Sequence, residues 1–137
     1  MTKMKAKAPS EVSSAALAYL GDCVIERRVR RFLVACGISH ASDLNAAALE
    51  FVRAAAQADA VERIIDKLDE GEQAAFRRGR NIGHTNTPKS ATALQYRRAT
   101  GMEALFGYLD MLGKEERIDE LFELAYAETM KKYIEKE

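Results

Sequence analysis

Tryptophan is absent from the 137 residues, and proline and cysteine occur twice each. With only Pro9 and Pro88 to interrupt them, long helices meet little opposition. Cys23 and Cys36 show no CxxC or Cys/His spacing, so they are expected as two reduced, buried thiols of a cytoplasmic protein. No apolar run is long enough to span a bilayer and no signal-peptide core follows Met1, so no membrane association is expected. No stretch alternates apolar and polar residues as a half-buried strand does, and the expected fold class is all-α. A Walker-type phosphate loop, GxSxG and HExxH are all missing, which sets aside the chemistries they carry. His40 and His84 are the only histidines, too few for a histidine metal site.

One further absence is local. Between Gln73 and Met102 there is no Asp or Glu, yet Arg77, Arg78, Arg80, Lys89, Arg97 and Arg98 all fall there. From Glu103 onward ten acids outnumber five bases, so a chain of zero net charge still carries a strongly positive region. A polyanion is the natural partner for it.

What the chain has in quantity is Ala, Leu, Glu, Lys and Arg, all good helix formers. Residues 1–12 are read as a mobile arm, 13–130 as one folded domain and 131–137 as a fraying tail. A first helix is expected after Ser13 or Ser14, stopping at Cys36 and Gly37. Ser42 or Asp43 is expected to cap a second helical region, whose apolar stripe runs to Leu68 with a break inside it. Asp69 and Glu72 have capping-box spacing and start a helix reaching Arg80. Residues 81–90 form a loop, helix resumes near Ala91 and ends near Gly113, and a last helix uses Ile118, Leu121, Phe122, Leu124 and Ala125.

Two carboxylates stand out. Asp22 lies within Leu17-Ala18-Tyr19-Leu20-Gly21-Asp22-Cys23-Val24-Ile25, and Glu103 between Gly101-Met102 and Ala104-Leu105-Phe106-Gly107. An ionised group buried among such neighbours needs a cation or several donors, and a Mg²⁺ ion shared by two carboxylates, water and phosphate oxygens supplies one. The alternatives stay open. Asp22 can sit on a narrow polar face with Glu26 or pair with an Arg of the next turn, and Glu103 can close a Thr100-x-x-Glu103 capping box. Gly21 and Gly107 weigh against these alternatives, because a helix-weakening glycine beside each acid marks close approach by another backbone or a ligand.

The small polar residues of the internal loop, flanked by two Arg clusters, suit phosphate oxygens and ribose hydroxyls. Arg78, Arg80, Asn81, His84, Lys89 and Arg97 are the candidate RNA contacts. Arg27, Arg28, Arg30 and Arg31 form a charge run that reads first as a solvated face.

These residues resemble a known family. Ala16-Leu17-Ala18-Tyr19-Leu20-Gly21-Asp22 is similar to the signature helix of ribonuclease III catalytic domains, and Met102-Glu103-Ala104-Leu105-Phe106-Gly107 to their second acidic helix. Arg78-Gly79-Arg80-Asn81, Pro88-Lys89, Tyr96-Arg97 and Thr100-Gly101 resemble the Mini-ribonuclease III branch, which lacks a double-stranded-RNA-binding domain. The likeness spans Ser13 to Leu124.

The resemblance implies an all-helical homodimer that cleaves duplex RNA with Mg²⁺, for which Mn²⁺ can stand in. Asp22 and Glu103 would be the catalytic metal ligands, leaving 5′-phosphate and 3′-hydroxyl ends. It also implies large-subunit (23S) precursor ribosomal RNA as substrate, with a ribosomal protein as a candidate partner. Where family members carry two more acids, this chain has Ala18 and Thr100. Two competing readings remain: a non-catalytic RNA-binding module in ribosome assembly, and a helical protein-interaction domain without an RNA role.

Overall fold

The computed structural model describes residues 7–82 and 91–134. Six helices carry the fold: α1 (Ser14–Ala35), α2 (Ala41–Val52), α3 (Ala54–Glu62), α4 (Glu70–Arg80), α5 (Ala93–Met111) and α6 (Glu115–Ile134). Single 3-10 turns form at Pro9–Glu11 and Ile65–Lys67. No strand occurs among the described residues, so the fold is all-α as expected. None of the helices is long and apolar enough to cross a membrane.

Most helix boundaries follow local chemistry. The Ser13 hydroxyl accepts from the Ala16 N–H and starts α1. Asp69 and Glu72 form the expected capping box of α4, and Thr92 with Gln95 forms another at α5. Gly37 and Gly113 take positive φ just past α1 and α5. Their N–H groups and those of the residues after them bond back into the last helical turn. The break inside the second apolar stripe falls at extended Arg53.

Some boundaries differ from the sequence reading. Neither Ser42 nor Asp43 caps α2; the helix begins at Ala41 after His40, which makes no side-chain cap, and both lie in its first turn. At the other end α6 continues through Lys131 and Lys132 to Ile134, where fraying was expected from Lys131. Tyr133 explains the continuation: its hydroxyl donates to Glu50 at 2.8 Å and its ring packs edge-on to Phe32, tying the last turn to α1 and α2.

Helix α5 is the axis of the molecule. From Ala99 to Leu109 its buried residues point in every direction, the pattern of a helix enclosed on all sides. It packs against α1, α4 and α3. Met102, Leu105, Phe106 and Leu109 meet Ile25, Val29 and Leu33 of α1 and Ile118 and Leu121 of α6 in one core. Phe51, Phe122 and Tyr126 form an aromatic cluster there, with the buried Tyr126 hydroxyl donating to the Phe51 carbonyl at 2.8 Å.

The base of α4 is held by one ion pair that spacing alone did not reveal. Glu72, with 1% of its surface exposed, accepts two hydrogen bonds from Arg117 of α6, both at 2.8 Å, and one from the Asp69 N–H at 2.9 Å. Burial works against its ionisation, but the Arg117 and Asp69 donors outweigh it and hold the carboxyl below its ordinary range. Arg117 also donates to the Lys67 carbonyl and to Glu120.

Candidate active site

The crossing of α1 and α5 creates the site. A Cβ on Gly21 would overlap the Glu103 carbonyl oxygen, and a Cβ on Gly107 would overlap that of Leu17. The two backbones therefore touch, which only glycine at both places permits. Gly79 and Gly101 bring α4 against α5 in the same way; a Cβ on Gly79 would lie 2.8 Å from the Thr100 carbonyl oxygen. The expected close approach beside each acid is thus an approach of helix backbones.

This crossing sets Asp22 beside Glu103. Both line one open cleft of about 230 Å³, with Ala15, Ala18 and Tyr19 of α1, Tyr96 and Thr100 of α5, and Ile82. Glu103 is half-buried and its carboxyl is pushed up to about 8, first by burial, then by the charge of Asp22 and a hydrogen bond with it. Among the described residues no basic side chain acts to pull it down. Glu103 is in mid-helix, so the capping-box alternative for it is excluded.

Asp22 is exposed, as in the polar-face alternative left open by the sequence, and not buried among its apolar chain neighbours. Its apolar chain neighbours Gly21, Val24 and Ile25 face the core, while Asp22 turns toward the cleft with Ala15, Ala18 and Tyr19. The cysteines also differ from the buried pair expected: both are free thiols, but Cys23 is exposed and Cys36 only partly covered. Leu17 is fully buried inside the subunit, so it is not available for a surface contact. The most exposed large apolar side chain of this helix is Tyr19, at 86%, against 61% for Val34 near its end.

Two oxygen-donor carboxylates set side by side in one cleft suit a hard divalent ion. Ala18 and Thr100 face the same cleft but supply no carboxylate, and the Thr100 hydroxyl donates to the Tyr96 carbonyl at 2.9 Å. Accordingly, no group of three or more metal-ligating side chains occurs among the described residues.

The candidate RNA contacts divide. Arg80, Asn81 and Arg97 line a second cleft, together with Ile82 and Leu94. Arg78 instead donates to the Val12 carbonyl at 2.6 Å. Val12 packs on Leu17, Ala18 and Ala104, so Arg78 fastens the segment leading into α1 against α4. Arg98 pairs with Glu62 at 3.0 Å, and Arg28 bridges α1 to Glu115 and Asp119 of α6. His84 and Lys89 lie outside the described residues.

A helical domain with two carboxylates brought together at a glycine crossing, beside an arginine-lined surface, has the organisation of a ribonuclease III domain. The model of that domain family, Ribonuclease III domain, matches residues 15–113. A Mini-ribonuclease 3 from Symbiobacterium thermophilum is 40% identical over 122 residues, covering 89% of this chain and 94% of the relative. The Mini-ribonuclease 3 of Desulfitobacterium hafniense is 43% identical over 115 residues, covering 82% and 71%. A crystal structure of a Fusobacterium nucleatum protein superposes with a TM-score of 0.80 at 30% identity, covering 90% of this chain and 98% of that one. The chain belongs to the Mini-ribonuclease III family.

Proposed function

We propose that this protein is a Mg²⁺-dependent endoribonuclease that cuts double-stranded RNA, with the ends of large-subunit (23S) precursor ribosomal RNA as its substrate. The observation that carries the reading is the pairing of Asp22 and Glu103 in one open cleft, where burial and the Asp22 charge push the Glu103 carboxyl up. The two carboxylates would hold Mg²⁺, for which Mn²⁺ can substitute. Bound there, the ion supplies an acidified water and neutralises charge on the scissile phosphate.

The chain's own residues do the rest. Asp22 stands at the solvent side and Glu103 at the half-buried side, so an RNA strand crossing the cleft is met from both. Arg80, Asn81 and Arg97 flank the cleft and would hold the phosphodiester backbone. Attack of a water oxygen on the phosphorus, with the 3′ oxygen leaving and taking up a proton, would give 5′-phosphate and 3′-hydroxyl ends. A-form RNA presents its ribose hydroxyls and phosphates in a shallow groove, so the surface reads shape more than sequence. Two copies related by a twofold axis would cut the two strands. Tyr19, exposed at the cleft rim, is the apolar group on hand for that contact. A cytoplasmic setting and presentation of the substrate by a ribosomal protein complete the proposal.

The test is incubation of the purified protein with a long duplex RNA, with Mg²⁺ and with chelator, beside Asp22→Asn. Cleavage should require Mg²⁺ and fall at least about a hundredfold in the variant, while duplex binding persists. Undiminished cutting by Asp22→Asn would refute the mechanism. Binding without cutting by the unmodified protein would instead establish the non-catalytic RNA-binding module, a reading that the two neutral positions Ala18 and Thr100 favour.

A further inference from the structure

We propose that the cleft between the end of α4 and the start of α5 receives a nucleobase swung out of the helical stack. The enzyme would then prefer duplex RNA with an unpaired nucleotide beside the cut. The inference rests on the nuclease reading and names a feature of its substrate.

The cleft has a volume of about 440 Å³ and is lined by Arg80, Asn81, Ile82, Leu94 and Arg97. Such a volume is within the range of small-molecule pockets, about 300–1,000 Å³. Ile82 also lines the cleft that holds Asp22 and Glu103, so the two clefts adjoin at that residue. A nucleotide in one would be a close neighbour of a phosphate in the other.

The lining is wrong for phosphate alone. Leu94 keeps 53% of its surface exposed, and Ile82 adds a second apolar side chain. A closed A-form duplex presents phosphates and ribose hydroxyls on its outside, with its base faces stacked within. It has nothing apolar to lay on Leu94. An extruded base does, and its faces also stack on guanidinium planes while its edge takes hydrogen bonds from an amide. Arg80 and Arg97 supply the planes and Asn81 the amide. Arg80 is already positioned, its guanidinium carbon 5.8 Å from the Phe76 ring centre and its Nε donating to Asn81 at 3.3 Å.

Extruding a paired base carries an unstacking cost that an unpaired base largely escapes. The experiment compares three RNAs in Mg²⁺: a perfect duplex, the same duplex with one unpaired adenosine beside the mapped cut, and that bulge with an abasic ribose. The adenosine bulge should be cut about tenfold faster in kcat/KM than the perfect duplex, with the abasic bulge close to the perfect duplex. Leu94→Ser, on an exposed position and with folding checked by circular dichroism, should bring the ratio toward one. Equal cutting of adenosine and abasic bulges would show a flexible hinge and overturn the pocket, as would no bulge preference at all; either result leaves the nuclease reading standing. If no RNA is cut, the nuclease reading fails, and 2-aminopurine at the unpaired position then decides the pocket. Its emission must change on binding the unmodified protein, and less with Leu94→Ser; an unchanged emission overturns it.

Discussion

Replacing Glu103 with Gln should make the metal-free protein more stable while destroying its site. The Glu103 carboxyl titrates near 4.5 in an unfolded chain and at about 8 in the folded one, through burial and then the neighbouring Asp22 charge. Between those values the folded state binds the extra proton, so stability falls as pH rises through this window, and above it the full penalty is present. At one pH unit per 1.36 kcal/mol, the penalty at pH 7 is about 3 kcal/mol; solvent at the open mouth of the cleft reduces it to roughly 2 kcal/mol. Glutamine keeps the shape, carries no charge and can donate its amide to Asp22. In chelator at pH 7, Glu103→Gln should therefore melt roughly 6 °C higher than the unmodified protein, with the gain shrinking to about 2 °C near pH 5. Differential scanning calorimetry across that range measures both. Added Mg²⁺ should raise the melting point of the unmodified protein and leave the variant nearly unmoved. A variant less stable than its parent at pH 7, or a gain that does not depend on pH, would show that burial and the Asp22 charge do not hold the Glu103 carboxyl up.

Other substitutions probe the scaffold and the basic surface. Gly21→Ala places a methyl group on the Glu103 carbonyl and should destabilise the fold by about 3 kcal/mol or more, read by urea denaturation. Arg117→Met leaves buried Glu72 without its partner and should remove about 3–5 kcal/mol at neutral pH. Because the Glu72 carboxyl is held low, this contribution is present above its ordinary range and lost as pH falls below it, so parent and variant should converge in acid. Arg97→Ala should weaken duplex binding across sequences and flatten the slope of log affinity against log salt by about one, measured by titration at several salt concentrations.

The acid pair was legible because each member had both an incongruous neighbourhood and an adjacent glycine. Gly21 and Gly107 signalled a close approach, and the helices meet there. The exposure of Asp22 and Cys23 was not legible from adjacent letters. Neighbours on a helix point about 100° apart, so a run of apolar residues does not enclose the polar one among them. Capping residues with local partners, such as Ser13, Asp69 and Glu72, could be read directly. Arg117 and Arg78 could not, because their partners Glu72 and Val12 lie far away along the chain. A basic residue that braces the fold looks, in sequence, like one that waits for RNA. Arg78 shows the difficulty within a single cluster: it reaches a backbone carbonyl, while Arg80 two positions on lines the second cleft.

The glycine crossing joins helices made at very different times. During synthesis α1 leaves the ribosome early, and Asp22 has no counterpart until α5 has followed and laid Gly107 against Leu17 and Gly21. A nascent chain that ends before α5 has one acid and no cleft. On the proposed reading, a cutter of ribosomal RNA born beside ribosomal RNA thus stays harmless until most of it has been translated.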